Sequence, residues 1–326
     1  MNYPRISIVT PSFNQGQYIE QTILSIINQN YPNLEYIIID GGSTDNTVEI
    51  IKKYKDRISY WVSEPDKGQS DAINKGIAKC TGDIFNWINS DDYLEPGALK
   101  EVAETFINAG ADIVCGLTEI FNEEHPADIS LHRTELFGST EATLVQQRIN
   151  QQAMFYRLSA VRKSGGVNNS LQYIMDLELW FRYLCREGQD KIALTDKLLA
   201  HFRIHATSKT AAHEQRFRIE EKATWQYMLT AMGIHEAWCS FFKTGQLYLP
   251  VKSWTFEAVD PGRLTAELAQ RYLYPVFRSG NKKLSRRAYY SLLKSGRLSF
   301  NLQHIAMFVK IFIGDIPFRK FFKSHA

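Results

Sequence analysis

Two adjacent carboxylates, Asp91 and Asp92, follow a short apolar and aromatic run at residues 84–88, which predicts a buried strand. Like charges this close are unfavourable unless a cation or hydrogen-bond donors neutralise them. Hard divalent cations such as Mg2+ bind carboxylate oxygens and bridge to substrate phosphates. The pair therefore predicts a metal site at a strand end, where open α/β sheets usually bind ligands. The competing interpretation is a solvated turn in which one acid caps a helix beginning near Glu95.

Acidic side chains also follow two other predicted strands. Asp40 comes directly after the apolar run at residues 34–39, and Asp66 and Lys67 follow the run at residues 58–62. The carboxyl ends of parallel strands lie at one edge of a sheet. Each acid alone is a weak signal, because loops are rich in polar residues. Their recurrence at successive strand ends predicts one shared cleft.

Strand and helix patterns alternate through the part of the chain that carries these acids. Continuous apolar runs predict buried strands, and a 3.6-residue periodicity predicts helices. The predicted strands are residues 5–10, 34–39, 58–62, 84–88, 112–117 and 153–156. The predicted helices are residues 18–27, 44–54 and 70–79, with a further helix that begins at about residue 176. This alternation favours an α/β class with a parallel sheet and helices on both faces.

The composition argues against several classes of protein. The 326 residues are 44% hydrophobic and 22% charged, as expected for one large folded domain with a smaller region attached. The net charge of +3 does not favour nucleic acid as a partner. The four cysteines form no CxxC pair, so neither a zinc site nor a disulfide framework is expected. The first residues lack a signal-peptide pattern and no apolar run reaches about 18 residues, so we expect a cytoplasmic protein without a transmembrane helix.

Two stretches of the chain resemble the family 2 glycosyltransferases, which have the GT-A fold. The first is ISIVTPSFNQGQYIEQTILSIINQNYPNLEYIIIDGGSTDNT at residues 6–47, and the second is SEPDKGQSDAINKGIAKCTGDIFNWINSDD at residues 63–92. The resemblance is dense in these stretches and becomes weaker towards His205. It implies a Rossmann-like GT-A fold: an α/β, mostly parallel sheet flanked by helices, with a helical C-terminal extension.

The resemblance also implies a nucleotide-binding set and a metal-binding set. The residues expected at the nucleotide are Pro11, Ser12, Phe13, Asp40, Asp66, Lys67, Asp71, Asn89, Ser90 and Asp91. The residues expected to hold a divalent metal, Mn2+ or Mg2+, are Asp91, Asp92 and His205. Two positions depart from the family pattern: Asn89 replaces the first acid of the DXD-like motif, and Gly41 replaces the second acid of the DDGSTD run. The first departure leaves open which aspartate binds the metal.

Asp176 and Glu178, at the predicted start of a helix, are the candidates for a catalytic base. Acids in a first helical turn are equally well explained by their favourable interaction with the helix dipole. The resemblance implies that Asp176 matches the second acid of the family's ED-x-D-L-W motif, with Met175 in place of the first. An inverting transfer needs one carboxylate to accept the proton of the attacking hydroxyl. We therefore predict Asp176 as the base and Glu178 as its substitute.

The segment from His201 to Lys209 resembles the R-x-H-x-x-S segment that closes over the diphosphate in many relatives. The resemblance implies that Arg203 and Ser208 contact the diphosphate, and guanidinium groups pair well with phosphate. It also implies that His205 completes the metal shell. A single histidine is, however, more often a surface or packing residue, so the motif leaves both interpretations open.

The chain divides into two predicted regions. Residues 1–210 are expected to form the glycosyltransferase domain, and residues 211–326 a helical C-terminal region. Within the first region, residues 1–117 form the nucleotide-sugar half and residues 118–210 the acceptor and catalytic half. The weakening of the family resemblance and the change to a helical pattern define these boundaries.

The end of the chain is strongly basic. From Lys282 onward there are ten basic residues and one acidic residue, Asp315. A basic and aromatic amphipathic segment can lie on an anionic membrane leaflet, which would make the protein peripheral to the inner face of the membrane. The same pattern also fits helices that pack on the core and expose a solvated basic face. The sequence leaves both interpretations open.

The activity implied by the resemblance is inverting transfer of a sugar, from a UDP-linked or similar nucleotide-sugar donor, to a glycan or lipid-linked acceptor in cell-surface polysaccharide biosynthesis. One alternative is a sugar-phosphate nucleotidyltransferase, which would need a Gly-rich basic loop after the first strand. The sequence there is PSFNQG and contains no basic residue. The other alternative is a non-catalytic nucleotide-sugar-binding protein, which would not need the acids at positions 91, 92 and 176.

Overall fold

The computed structural model describes residues 3–125, 127–206, 208–209, 213–246, 248–250, 254–294 and 309–313. The strands are β1 Ile6–Ser12, β2 Leu34–Asp40, β3 Tyr60–Ser63, β4 Ile84–Trp87, β5 Tyr93–Leu94, β6 Ile113–Asn122, β7 Ile129–Arg133, β8 Met154–Arg157 and β9 Ile192–Ile204. The helices of the first 200 residues are α1 Ile19–Ile27, α2 Thr47–Lys53, α3 Gln69–Lys79, α4 Ala98–Ala109, α5 Thr140–Gln146, α6 Leu158–Ser164 and α7 Met175–Glu187. The later helices are α8 Glu214–Ala231, α9 Glu236–Cys239, α10 Pro261–Leu268, α11 Tyr274–Arg278 and α12 Lys282–Lys294.

The strands of the described residues form one mixed sheet in the order β3-β2-β1-β4-β8-β6-β9-β5, with β7 paired to β6. Strands β1 to β4 pair in parallel, as the sequence predicts. Beyond β4 the pairing is antiparallel except between β6 and β9. Strands β8 and β7 pair in succession along one edge of β6, and β9 pairs along the other edge. The parallel half is therefore joined to a second half built on the long strand β6.

Burial on both faces explains why the first strands are continuously apolar. Ile6 and Ile8 of β1 pack with α1 and α4 on one side of the sheet, and Val9 packs with α3 on the other side. Helix α1 buries one face through Ile19 and its apolar partners at helical spacing. Both layers are therefore needed to place the carboxyl ends of β1 and β4 side by side.

Three features of the second half differ from the sequence-based expectation. The helix predicted to begin near Glu95 begins at Ala98, after Gly97. Residues 93–94 form β5, which pairs with β9. Strand β6 continues to Asn122, so the expected boundary at residues 117–118 falls within a strand. Strand β9 was not expected, since its exposed, charged middle interrupts the apolar pattern.

The C-terminal helices share a core with the rest of the chain. Trp225 and Met228 of α8 belong to the same buried cluster as Trp180 and Phe181 of α7. The ring centroids of Phe181 and Trp225 lie 5.1 Å apart. The hydrophobic core is therefore continuous across residue 210.

The apolar tail falls mainly on residues that the structure does not describe. The apolar residues of the basic and aromatic segment that lie outside the described residues are Phe300, Ile305, Phe308, Phe318, Phe321 and Phe322. Phe312 is described, and its ring centroid lies 5.6 Å from that of Tyr289 on α12. Among the described residues, no helix has the length and apolarity to cross a membrane.

Candidate active site

A cavity of about 730 Å³ opens at the carboxyl ends of β1 and β4. The loops after these strands line it, together with residues 149–152, the start of α7 and residues 208–209. The predicted site residues that line it are Pro11, Ser12, Phe13, Asp66, Asn89, Ser90, Asp91, Asp176 and Ser208. The structure therefore brings together residues that are up to 197 positions apart in the sequence, from Pro11 to Ser208.

Asp40 is buried beneath the cavity rather than exposed in it. Its carboxylate accepts hydrogen bonds from the backbone N–H groups of Gly42 and Ser43, at 3.1 and 2.9 Å, and from the hydroxyls of Ser43 and Ser63. This set shapes the loop that follows β2. Asp40 therefore holds the loop after β2, and the nucleotide contact predicted for it stays a prediction.

Asp66, unlike Asp40, lines the cavity. Its Oδ1 accepts a hydrogen bond from the N–H of Gly68 at 2.7 Å. A Cβ atom added at Gly41 would lie 2.8 Å from Asp66 Oδ2, closer than real Cβ contacts allow. Because Gly41 has no side chain, the Asp66 carboxylate has room beside it. Lys67 and Asp71 bond to each other beside the cavity, through the Lys67 N–H and Asp71 Oδ2 at 3.1 Å.

The two adjacent aspartates occupy different environments. Asp92 is fully buried: Oδ1 accepts from the Arg203 N–H at 3.1 Å, and Oδ2 accepts from the side-chain amides of Asn89 at 3.1 Å and Gln152 at 3.3 Å. Burial, followed by the neighbouring Asp91 carboxylate, raises the pKa of Asp92 well above its usual value. Asp91 lines the cavity, and its Oδ2 lies 3.1 Å from His205 Nε2. Only Asp91 is thus placed to meet a ligand.

Arg203 holds the loop after β4, which carries Asp91 and Asp92. Its Nε donates to the carbonyl of Asp91 at 2.9 Å, and its other nitrogens donate to Gln21 and to Glu123. The guanidinium also lies among the rings of Tyr18, Tyr93 and Phe121, at 4.8, 5.8 and 5.0 Å from their centroids. The side chain is buried and does not line the cavity. The diphosphate contact predicted for Arg203 stays a prediction; in this structure its donors are used within the protein.

Asp176 and Glu178 lie on different faces of the first turn of α7. Asp176 lines the cavity, and burial raises the pKa of its carboxyl. Glu178 is fully buried and forms a two-point ion pair with Arg182, at 2.9 and 2.7 Å, while the Tyr248 hydroxyl donates to its Oε1. The role of substitute base predicted for Glu178 stays a prediction; in this structure its carboxylate bonds to Arg182 and Tyr248 and stabilises the packing of α7.

Lys209 is a cavity residue to which no role was assigned from the sequence. Its Nζ donates to Gln69 Oε1 at 2.9 Å and to the carbonyl of Gln172 at 3.2 Å, and burial lowers its pKa. Among the described residues that line the cavity, Lys209 is the only basic one. The sequence signal that could have identified Lys209 as a cavity residue is its position directly after Ser208 of the R-x-H-x-x-S segment. Ser208 Oγ is buried without a hydrogen-bond partner within the described part of the chain.

Comparison with known proteins identifies the chain. The profile of "Glycosyl transferase family 2" matches residues 7–164. An uncharacterized glycosyltransferase of Mycobacterium tuberculosis is 30% identical over 184 residues, which cover 55% of this chain and 68% of the relative. The chain belongs to glycosyl transferase family 2. Both the predicted family and the prediction of a transferase enzyme are therefore confirmed.

Solved structures give the fold of this family 2 member. TarS of S. aureus (residues 1–349), in complex with UDP-GlcNAc, aligns with 94% of this chain at a TM-score of 0.58 and 15% identity, covering 80% of that chain. The chain spans only 48% of a longer TarS structure. A mannosyltransferase of Pyrobaculum calidifontis, in complex with GDP-Man and Mn2+, aligns with 95% of this chain and 80% of that one, at a TM-score of 0.53 and 14% identity. These similarities confirm the GT-A fold class with a helical C-terminal region.

The donor atoms at Asp91 suit a divalent cation only in part. A carboxylate oxygen and an imidazole nitrogen are both ligands of first-row divalent metals, and carboxylate oxygens suit Mn2+ and Mg2+. No group of three or more His, Cys, Asp or Glu side chains among the described residues is arranged to hold a metal alone. The family 2 site therefore fits a cation that takes its remaining ligands from substrate phosphates and water.

We expect the two aspartates to respond differently to replacement by asparagine. Asp92→Asn places an amide among three N–H donors, so the free energy of unfolding should fall by about 1–3 kcal/mol. Asp91→Asn should change it by about 0.5 kcal/mol or less, as is usual away from buried networks. Urea denaturation of both variants measures the difference. Equal losses would show that Asp91 is as deeply committed to the fold as Asp92.

Proposed function

We propose that this enzyme transfers a sugar, with inversion, from a UDP-linked or similar nucleotide-sugar to a hydroxyl of a glycan or lipid-linked acceptor. The observation that carries the proposal is that Asp66, Asp91 and Asp176 all line one cavity. A carboxylate can bind the cation of a cation-bound diphosphate, and a second carboxylate can accept a proton. The complexes of TarS with UDP-GlcNAc and of the mannosyltransferase with GDP-Man support this class of donor.

The donor is assigned to the side of the cavity formed by the loops after β1 and β4. Phe13 is 58% exposed at its edge, which leaves its ring available to a nucleobase. Ser12 Oγ is buried without a hydrogen-bond partner in the described residues and lines the same cavity. Asp66 and Ser90 provide further polar contacts on this side. These groups form a pocket with one aromatic face and several polar atoms, as nucleotide pockets require.

The diphosphate is assigned to the region between Asp91 and Lys209. A divalent cation bound by Asp91 and His205 would neutralise the negative charge that develops on the leaving group. Lys209 supplies a second positive charge, and the Ser208 hydroxyl supplies a donor. The Mn2+ in the mannosyltransferase complex supports a metal of this kind. In this arrangement Arg203 acts indirectly, by fixing the backbone that carries Asp91.

Asp176 is assigned as the base that accepts the proton of the acceptor hydroxyl. A buried carboxyl with a raised pKa holds a proton more readily than an ordinary aspartate, which favours proton transfer near neutral pH. Inversion needs this one carboxylate and no carboxylate nucleophile. The proton then remains on Asp176 until solvent removes it after product release.

A second groove provides a path for the acceptor. It has a volume of about 440 Å³ and lies between β7 and residues 147–150. Ile149 and Asn150 line both this groove and the main cavity, so the two are adjacent. A chain lying in the groove would reach the Asp176 side of the cavity through these two residues. This position agrees with an acceptor half in the second part of the chain.

Donor hydrolysis tests the base. With UDP-GlcNAc and GDP-mannose as probes, Asp176→Asn should lower kcat by about 10²–10⁴-fold with nearly unchanged donor affinity, because only proton transfer is lost. The wild-type rate should fall as the pH drops through the raised pKa of Asp176, since the protonated carboxyl cannot accept a proton. Asp196→Asn, at an exposed position, is the control. A wild-type rate in Asp176→Asn would contradict the assignment.

Thermal unfolding with UDP tests the metal. Added Mn2+ should raise the Tm of the wild-type protein, because binding to the native state stabilises it. Asp91→Asn and His205→Ala should lose most of this increase, whereas His132→Ala, at an exposed position, should keep it. A full Mn2+ response in Asp91→Asn would show that the cation binds elsewhere or does not bind.

We also propose that the protein binds the cytoplasmic face of an anionic membrane through α12. The exposed residues of this helix include Lys282, Lys283 and Arg286, with Tyr290 56% and Leu293 38% exposed beside them. Basic side chains near an anionic surface contribute about 1 kcal/mol each, and exposed aromatic and aliphatic groups add apolar contact. Helix α12 therefore presents both features on one surface.

Sedimentation with liposomes tests this surface. The full chain should sediment with vesicles that contain anionic lipid and should be released by high salt, because salt screens exposed charges. The double variant Lys282→Glu and Lys283→Glu should abolish binding. The control double variant Lys52→Glu and Lys55→Glu, in and just after α2, should keep it. Deletion of the residues after Phe300 should also weaken binding and leave donor hydrolysis intact. A wild-type protein that ignores anionic vesicles at low salt would rule out the membrane contact.

A further inference from the structure

A buried carboxylate of the C-terminal region holds the wall of the cavity. Glu220 of α8 is 4% exposed. Its Oε1 accepts a hydrogen bond from the backbone N–H of Gln172 at 2.9 Å, and its Oε2 accepts from those of Tyr173 and Ile174 at 2.9 and 3.2 Å. Three successive N–H groups thus converge on one side chain 46 to 48 positions away in sequence. Hydrogen bonds to an ionised acceptor are about twice as strong as neutral ones.

These three residues lead directly into the catalytic helix. Gln172 and Tyr173 line the cavity, and so do Met175 and Asp176, which begin α7. The residue that precedes α7, Ile174, provides no side-chain hydrogen bond to cap the helix. The position of the first turn therefore depends on how residues 172–174 are held. Glu220 instead binds the N–H groups of the three residues that precede the helix, so it fixes the chain immediately before the first turn.

The same segment is fixed on its other sides as well. The carbonyl of Gln172 accepts a hydrogen bond from Lys209 Nζ at 3.2 Å. The ring of Tyr173 packs against Phe217, one turn before Glu220 on α8, with centroids 5.2 Å apart. Helix α8 thus contacts the cavity wall through both a charge and an aromatic ring. Glu220 is the contact that binds the backbone itself.

We propose that Glu220 is a positioning residue for Asp176. Its carboxylate fixes the backbone of residues 172–174, and this backbone sets the place of the Asp176 carboxyl relative to the donor. The inference rests on the proposed role of Asp176 as base. It makes the C-terminal helical region part of the catalytic apparatus, although none of the residues of α8 that bind the wall carries out chemistry.

The replacement Glu220→Gln removes the charge and keeps the size of the side chain. Its amide would point an N–H donor at a backbone N–H donor, so the segment should loosen. Glu220→Asp keeps the charge but is one methylene shorter, and it serves as a second variant should Glu220→Gln fail to fold. The matched control is Glu214→Gln on the same helix, whose side chain is 76% exposed and pairs with Arg218.

Hydrogen exchange of the full chain tests the contact without any substrate. The amides of residues 172–174 should exchange faster in Glu220→Gln and in Glu220→Asp than in the wild type or in Glu214→Gln. Tyr248→Phe removes a separate contact of the C-terminal region with α7, and it should leave exchange at residues 172–174 at its wild-type rate. Unchanged exchange in both Glu220 variants would overturn the proposal.

Donor hydrolysis tests whether the contact acts through Asp176. Glu220→Gln should lower kcat for UDP-GlcNAc hydrolysis by about 10-fold or more with little change in KM, because a displaced base is costly. In an Asp176→Asn background the same change should cause no further loss, since residues that act as a unit are not additive. Independent losses that multiply would overturn the positioning role. If Asp176→Asn itself keeps the wild-type rate, the base assignment fails, while the exchange result still reports on Glu220.

Discussion

The whole site depends on the interactions of one buried guanidinium, that of Arg203. It joins the end of β9 to the loop after β4, to Gln21 on α1 and to Glu123 after β6. A buried charge is strongly destabilising unless its partners are in place, so these elements cannot move independently. Because the Arg203 N–H also binds Asp92, the loop is held at two points and Asp91 is left facing the cavity. The carboxylate that lines the cavity is thus positioned by an arginine that does not line it.

The sequence predicts the first half of the fold well because the signals there are local. Each of β1 to β4 is a continuous apolar run, and the helices between them have a clear periodicity. The second half depends on pairings between distant segments, such as Tyr93 with His201. Strand β9 carries charges where it is exposed, and β5 has only two residues. Neither strand has the apolar sequence pattern that predicts a strand, because both are defined by their pairing with distant segments.

The sequence predicts which residues lie at or near the cavity better than it predicts the surroundings of each one. Asp91 and Asp92 are chemically identical in the sequence, and only the three donors around Asp92 separate them. Asp176 and Glu178 are two positions apart, so they point to different faces of α7. Arg203 fits a phosphate-binding motif, yet its carboxylate and amide partners come from residues 21 and 123. Long-range burial decides each of these cases, and a single sequence does not contain it.

The close approach at Gly41 has a consequence for how this site can change during evolution. A side chain at position 41 would occupy the space of the Asp66 carboxylate, which lies 2.8 Å from the place of its Cβ. The two positions are therefore coupled: a side chain at position 41 requires the Asp66 carboxylate to turn away from its present place. Relatives that carry an acid at the first position should tend to differ at the second. Variation in the two loops is thereby coupled, although they follow different strands and are 25 residues apart.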